Sequence, residues 1–144
     1  MHKYSNSIIL PFSAKQLYEI VIDVESYPNF LPWCLSSKIV KKINDYNFDA
    51  ELKVGYKAID ETYISRIKAE YEKKINSKAI SGPFKSLDST WYFKNVAKNK
   101  CKVDFLIEYQ FKSFFLDKVM GGVFKKATMR MLDAFEERAK SLKN

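Results

Sequence analysis

"KCKVDFLIEYQFKSFFLDKVMGGVFKKATMRMLDAFEERAKSL", residues 100–142, changes its hydrophobic period partway along and so decides the fold class. Up to residue 112 apolar and polar side chains alternate, which is typical of a strand with one buried face. From Ser113 onward apolar residues recur every three or four positions, which predicts an amphipathic helix of about seven turns. Its apolar stripe comprises Leu116, Met120, Val123, Phe124, Ala127, Met131 and Phe135. We expect a sheet and this helix to cover each other's apolar faces.

The chain before this junction contains further strand patterns. They lie at residues 3–10, 38–43, 47–56, 59–71, 73–81 and 86–96. Turn signals such as Asn44-Asp45 and Lys98-Asn99-Lys100 separate neighbouring patterns at hairpin distance. The prediction is an α+β fold in one domain, residues 1–144, built from an antiparallel meander and a long carboxy-terminal helix.

A shorter helix is predicted after the first strand. Ser13 is a good N-cap, and Gln16 follows three residues later, as a capping box requires. The helix is expected to stop near Tyr27, because the residue before Pro28 is pushed out of the α region. The segment "YPNFLPWC", residues 27–34, then reads as an apolar loop stiffened by two prolines.

Gly121-Gly122 interrupts the long helix at about 1 kcal/mol per glycine relative to alanine. One explanation is close packing, since a helix without Cβ atoms can press on the sheet. The other is a hinge, about which residues 113–120 swing to admit a ligand opposite residues 27–34.

Composition excludes several classes of protein. The 144 residues are 47% hydrophobic and 29% charged, as in globular chains. No apolar run approaches the roughly 20 residues that span a bilayer, and the amino terminus lacks a secretory pattern. We therefore expect a cytoplasmic protein. The net charge of +8 is nearly all lysine, which suits weak attraction to a polyanion such as an anionic membrane or RNA.

Catalytic and metal-binding patterns are missing. The only histidine is His2, and Cys34 and Cys101 have no metal or redox spacing. The four glycines form no phosphate loop. Two carboxylate groupings are interpreted as solvated strand edges: Asp60 with Glu61, and Asp104 with Glu108. The sequence therefore predicts a protein without enzymatic activity or catalytic cofactor.

Large adaptable apolar side chains are abundant instead. Aromatic residues make up 15% of the chain, and inward strand positions carry Phe, Tyr and Trp. Aromatic and methionine side chains often line sites for flat or flexible apolar ligands, although a plain core uses them too. Tyr56, Tyr63 and Tyr109 point inward by alternation, and a buried hydroxyl needs a partner that a ligand or water would provide.

Several segments together resemble a known family. They are "YPNFLPWC" (27–34), "AELKVGY" (50–56), "YISRI" (63–67), "GPFKSLDSTWYF" (82–93), "VDFLIEYQFKS" (103–113) and "FEERA" (135–139). From about residue 3 to residue 140 the chain resembles the family of coenzyme Q-binding proteins and RatA-type ribosome association toxins. This family belongs to the START-like, polyketide cyclase superfamily.

The resemblance implies a helix-grip fold: a curved antiparallel sheet wrapped around the carboxy-terminal helix, with a hydrophobic tunnel between them. It implies ubiquinone or a related lipid as ligand, in support of respiratory electron transport or quinone biosynthesis. The expected ligand-binding residues are Phe30, Leu31, Pro32, Trp33, Val54, Tyr56, Tyr63, Phe84, Leu87, Trp91, Phe93, Phe105, Ile107, Tyr109, Met120, Val123, Phe124 and Met131.

Two alternatives stay open at this point. One is a RatA-like toxin that binds the large ribosomal subunit and blocks subunit association. The other is a cyclase-like enzyme on the same fold, since fold does not fix function. For a quinone carrier, the lysines would provide peripheral contact with the anionic inner face of the bacterial membrane.

Overall fold

The computed structural model describes residues 1–56 and 59–143; the side chains of Tyr56, Ile59 and Lys143 also lie outside this description. The elements run in the order β1 (His2–Leu10), α1 (Ala14–Ile22), a 3₁₀ helix (Val24–Asn29), β2 (Cys34–Asn44), β3 (Asn47–Tyr56), β4 (Ile59–Glu70), β5 (Lys74–Ser81), β6 (Phe84–Ala97), β7 (Lys100–Phe111) and α2 (Phe114–Lys143). Each predicted strand and both predicted α-helices are present.

The seven described strands form one antiparallel sheet in the order β1-β7-β6-β5-β4-β3-β2. Strands β2 to β7 are a meander, in which each strand pairs with its neighbour in sequence. Strand β1 instead pairs with β7, so that His2 lies opposite Tyr109 and Leu10 opposite Cys101. The sheet curves around α2, which covers its concave face, so the predicted α+β helix-grip architecture is confirmed.

Strand β7 illustrates how alternation builds the core. Its six inward residues are all buried: Cys101, Val103, Phe105, Ile107, Tyr109 and Phe111. Between them Lys102, Leu106 and Glu108 face solvent. Burying an apolar side chain is worth about 1.5–3 kcal/mol, so this one strand anchors the sheet to the elements above it.

The predicted start of α1 is confirmed, but its predicted end is wrong. The Gln16 N–H donates to Ser13 Oγ at 3.1 Å, and the Ser13 N–H donates to Gln16 Oε1 at 2.8 Å, which completes the capping box. The α-helix ends at Ile22, because Asp23 has a ψ of 70° outside the helical region. Pro28 lies within the 3₁₀ helix that follows and not after a longer α-helix.

Helix α2 has 30 residues and begins after Ser113, whose Oγ accepts a hydrogen bond from the Leu116 N–H at 3.2 Å. It runs through the glycine pair without a break. Gly122 is exposed, and apart from the adjacent residues and nearby helix backbone, no atom of the described residues lies within 4 Å of the position that a Cβ would occupy. Close packing therefore does not explain Gly122; Gly121 lies outside the described side-chain positions.

Among the described residues, no helix is both long and apolar enough to cross a membrane.

Candidate functional site

The concave face of the sheet and the inner face of α2 enclose a cavity of about 150 Å³, which we call the sheet–helix cavity. The 3₁₀ helix and the segment after it close one side. Eleven of the predicted ligand-binding residues line it: Leu31, Trp33, Val54, Tyr63, Phe84, Leu87, Trp91, Phe105, Ile107, Phe124 and Met131. The structure therefore brings together most of the predicted set around one space.

Six other predicted residues lie elsewhere. Phe30, half-buried, packs edge-on against Phe135, and Pro32 is exposed. Four lie beneath or beside the lining: Phe93, Tyr109, Met120 and Val123. Alternation identified their inward direction but not their depth in the core. The remaining predicted residue, Tyr56, has its side chain outside the described part of the chain.

One end of the cavity is closed by aromatic rings. Trp91 contacts Phe105 and Phe135, with ring centroids 4.6 and 5.1 Å apart. Val21 of α1 and Val24 of the 3₁₀ helix complete this end. All five of these lining residues are buried, so the cavity is closed on the side of α1.

The opposite end is open. Five of the partly exposed lining residues lie where β2, β4 and β6 begin, β3 ends and α2 makes its early turns: Trp33, Val54, Glu61, Pro83 and Phe124. All of these strand termini lie at the same end of the sheet. Glu61 was interpreted as a solvated strand-edge residue; it instead lines this opening.

The segment from Tyr27 to Cys34 contributes four lining residues: Tyr27, Leu31, Trp33 and Cys34. The Tyr27 hydroxyl donates a hydrogen bond to the Val21 carbonyl, and the Leu31 N–H donates to the Tyr27 carbonyl at 2.8 Å. These local bonds hold the apolar segment against the cavity, which explains why so apolar a stretch is kept outside regular strands and α-helices.

Polar lining residues were not predicted. Ser65 of β4, Ser77 of β5 and Ser89 of β6 line the floor of the cavity, and Thr128 of α2 lines its roof. The sequence could have indicated the inward position of Ser65, because it lies between Tyr63 and Ile67 in the alternation. A serine at that position, however, weakens the apolar pattern. The Thr128 hydroxyl donates to the Phe124 carbonyl at 3.0 Å, so it has no proton left for another acceptor.

Three titratable groups of the lining, Cys34, Tyr27 and Tyr63, are held in their neutral forms. Burial raises the pKa of the Cys34 thiol to about 11. Burial also raises the pKa values of Tyr27 and Tyr63, with nearby Tyr63 and Cys34 respectively adding to the effect. Neutral tyrosine and thiol groups provide hydrogen bonds but neither a strong base nor a strong nucleophile at pH 7.

No three His, Cys, Asp or Glu side chains cluster as a metal site would require, within the residues that the structure describes. His2 lies on the far side of β7 from the cavity lining, with Nε2 3.2 Å from Asp117 Oδ1 and its ring stacked on Tyr109 at 5.0 Å.

The outward face of α2 is unusual for its exposed aromatic residues. Phe114 and Phe115 are 84% and 72% exposed, and Val119 follows on the same face. The cations Lys118, Lys125, Lys126 and Arg130 are exposed between residues 114 and 132, where no acidic side chain is exposed. An apolar and cationic face of this kind is typical of helices that lie on anionic membranes.

Comparison with known proteins places this geometry in context. Residues 10–136 match the family model described as polyketide cyclase / dehydrase and lipid transport. The chain is 37% identical to the ribosome association toxin RatA of Rickettsia prowazekii, over 99% of each chain. It is 38% identical to the mitochondrial coenzyme Q-binding protein COQ10 of Dictyostelium discoideum, over 92% of this chain and 66% of that protein. The resemblance inferred from the sequence motifs is confirmed.

Solved structures agree on the fold. A START superfamily protein from Mycobacterium smegmatis superposes with a TM-score of 0.84, covering 99% of both chains at 18% identity. The Zhui aromatase/cyclase from a Streptomyces species gives 0.86 over 96% of this chain and 93% of its own, at 12% identity. At these identities the likeness concerns the START-like fold alone.

Proposed function

The chain belongs to the polyketide cyclase, dehydrase and lipid transport family, and from this we propose that it binds a polyprenyl quinone or a similar lipid in the sheet–helix cavity without transforming it. The single observation that carries the proposal is the cavity itself, which is enclosed, apolar and lined by Trp, Phe and Tyr rings. Flat aromatic walls favour a flat ring by stacking and by removal of apolar surface from water.

The size of the cavity indicates which part of such a lipid lies inside. A cavity near 150 Å³ can hold one benzene-sized ring, as buried apolar cavities of this volume do. A tail of several isoprene units is longer than this space. We therefore assign the ring to the cavity and the tail to the open end, between the strand termini and the early turns of α2.

The lining supports binding without chemistry. Cyclases on this fold need acid–base groups near the substrate, and the neutral Cys34, Tyr27 and Tyr63 are poor candidates. Glu61 lies at the open end, with exposure to solvent. The similarity to COQ10, whose name describes quinone binding, agrees with a carrier in respiratory electron transport or quinone biosynthesis.

Delivery of such a lipid requires contact with a bilayer, and we assign this contact to the outward face of α2. Phe114 and Phe115 would enter the interface, while Lys118, Lys125 and Lys126 would meet anionic headgroups. The same helix lines the cavity with Phe124 and Met131 on its inner face. A lipid leaving the bilayer beside this helix would therefore reach the open end directly.

The second candidate function is association with the large ribosomal subunit. The observation that favours it is the match to RatA, which covers 99% of both chains. The net charge of +8 would attract ribosomal RNA as well as anionic lipid. The two functions differ in partner, so direct binding measurements separate them.

Fluorescence provides a direct test of quinone binding, because the only two tryptophans, Trp33 and Trp91, both line the cavity. A short-chain ubiquinone should quench their emission saturably, and organic extracts of protein from a quinone-producing host should contain quinone. Ile107→Lys, which places a charge in the cavity, should abolish both effects. Leu106→Lys is the matched control, since the neighbouring Leu106 faces solvent on the same strand.

Both variants must first give the wild-type circular dichroism spectrum. Absence of quinone from the extract together with an unquenched spectrum would overturn the proposal. Equal quenching of wild type and the Ile107→Lys variant would also overturn it, since the quinone would then lie outside the cavity.

A further inference from the structure

Three serines on adjacent strands form a row across the floor of the sheet–helix cavity. Ser77 of β5 lies directly opposite Ser89 of β6 in the strand register. The hydroxyls of Ser65 and Ser77 are hydrogen-bonded to each other across β4 and β5. All three residues line the cavity, so we call Ser65, Ser77 and Ser89 the serine row.

The serine row lies among apolar groups. The next inward row across β5, β6 and β7 is Ile75, Trp91 and Phe105, which forms the closed end. Ser65 is only 2% exposed, and Ser77 and Ser89 are half-buried. A hydroxyl that is shielded from water is destabilising unless it has a hydrogen-bond partner.

The serine row has more hydroxyl protons than the described residues of the protein provide acceptors for. Each serine hydroxyl has one proton to donate and two lone pairs. The bond between Ser65 and Ser77 uses one of their two protons, so one remains available. Within the described part of the chain the Ser89 hydroxyl has no protein partner. The floor thus offers two donors to the cavity, and the bond that Thr128 on the roof makes within the described residues goes to the Phe124 carbonyl and not to this row.

We propose that the serine row is the recognition site for the oxygen atoms of the bound ring. Carbonyl or ether oxygens of an oxygenated ring would accept the two protons, while the ring faces stay against aromatic side chains. The cavity would then select oxygenated rings over hydrocarbon rings of equal size. This inference rests on the proposed lipid binding and adds to it the class of head group and its position.

The position also sets the direction of the ligand. The serine row lies between the closed end at Trp91 and the open end at Glu61. A ligand ring held there has its tail directed toward the open end, because aromatic side chains block the closed end. The head group therefore enters first and leaves last.

The proposal is tested by comparing the affinity of the protein for two probe molecules. Decylubiquinone and decylbenzene share a ten-carbon tail, but only decylubiquinone has carbonyl and methoxy oxygens on its ring, together with a ring methyl group. Calorimetric titration of the wild-type protein should show tighter binding of decylubiquinone. Ser77→Ala combined with Ser89→Ala should weaken decylubiquinone binding by about tenfold or more, as the loss of one or two hydrogen bonds predicts, and leave decylbenzene binding unchanged or stronger.

Ser7→Ala is the control for the chemical change, since Ser7 is an exposed serine on β1. Ser65→Ala is the second variant: it frees Ser77 from its partner and leaves two free protons, on Ser77 and Ser89, so it should keep the preference for the quinone that the double variant loses. Equal affinity of wild type for the two probes, with no effect of the serine substitutions, would overturn this inference and leave lipid binding intact; it would mean that water occupies the row. Failure of wild type to bind either probe would overturn the proposed function as well.

Discussion

Gly122 lies where an added side chain would meet no neighbouring element. It lies on the outward face of α2 with open space where a Cβ would be. Gly122→Ala should therefore raise the free energy of unfolding by about 1 kcal/mol, because alanine has the higher helix propensity. Urea denaturation of the two proteins measures this difference. A loss of stability would contradict the open position of Gly122.

Gly82 provides the opposite case. Its φ of +109° is one that L-residues rarely adopt, and a Cβ there would lie 2.5 Å from the Cβ of Tyr63. Gly82→Ala should lower stability and displace Tyr63 from the cavity lining. The same denaturation series, with Gly122→Ala alongside, distinguishes a conformational requirement from a general intolerance of alanine.

Protonation of Asp117 makes the free energy of unfolding depend on pH in the acid range. Its carboxylate accepts a hydrogen bond from the Phe111 N–H at 2.9 Å, and this bond, followed by the nearby His2, holds its pKa below the usual value. Because the folded-state pKa is the lower one, the contribution is present above about pH 4 and is lost as the pH falls through the folded value.

Asp117→Asn should consequently be less stable than wild type at pH 7, with a difference that shrinks below pH 4. Thermal unfolding between pH 3 and 7 measures this trend. Asp133→Asn on the same helix is the control, since Asp133 is exposed. A difference between wild type and Asp117→Asn that stayed constant with pH would contradict the assigned role.

At the level of elements, α2 lines the cavity with its inner face, and the membrane contact proposed for its outer face can be tested separately. Phe114→Ser with Phe115→Ser should weaken binding to anionic vesicles by about tenfold or more while leaving quinone quenching intact. Leu142→Ser is the matched control, because Leu142 is 57% exposed on the same helix but about 40 Å away at 1.5 Å per residue. Equal effects of the two changes would exclude the proposed face.

The same elements show which features could be predicted from sequence. The capping box of α1 and the stripe of α2 depend on residues within a few positions of one another, so local patterns identify them. The 3₁₀ helix at Val24–Asn29 was missed because Asp23, and not Pro28, ends the α-helix. Proline restricts the residue before it, but it does not determine where an earlier break falls.

The serine row depends on a different kind of information. Ser65, Ser77 and Ser89 are 12 residues apart in sequence and become neighbours only through the register of three strands. Their polar character also weakened the alternation of β4 and β5, the two strands with the least regular apolar patterns. The apolar lining could thus be predicted as inward-facing, whereas the polar part of the site needed the assembled sheet.

For the whole molecule, the charge of +8 raises the question of which polyanion it meets. If anionic lipid is the partner, vesicle binding should require acidic lipid and weaken with salt, since exposed charges are screened beyond about 8 Å at physiological ionic strength. Vesicle flotation and ribosome sedimentation at the same salt concentration compare the two partners. Sedimentation with large subunits, together with indifference to anionic vesicles, would favour the RatA-like function.

The pairing of β1 with β7 has a consequence for the way the chain acquires its structure. Residues 2–10 pair with residues that lie 91 to 107 positions later, from Leu10 with Cys101 to His2 with Tyr109, which is a contact of long sequence separation. Such pairings slow folding, because loop closure precedes the stabilising contacts. During synthesis the meander can form hairpin by hairpin, but β1 stays unpaired until β7 has left the ribosome exit tunnel, and the cavity has no roof until α2 follows. The cavity is therefore completed last, after every strand of the sheet has been synthesised.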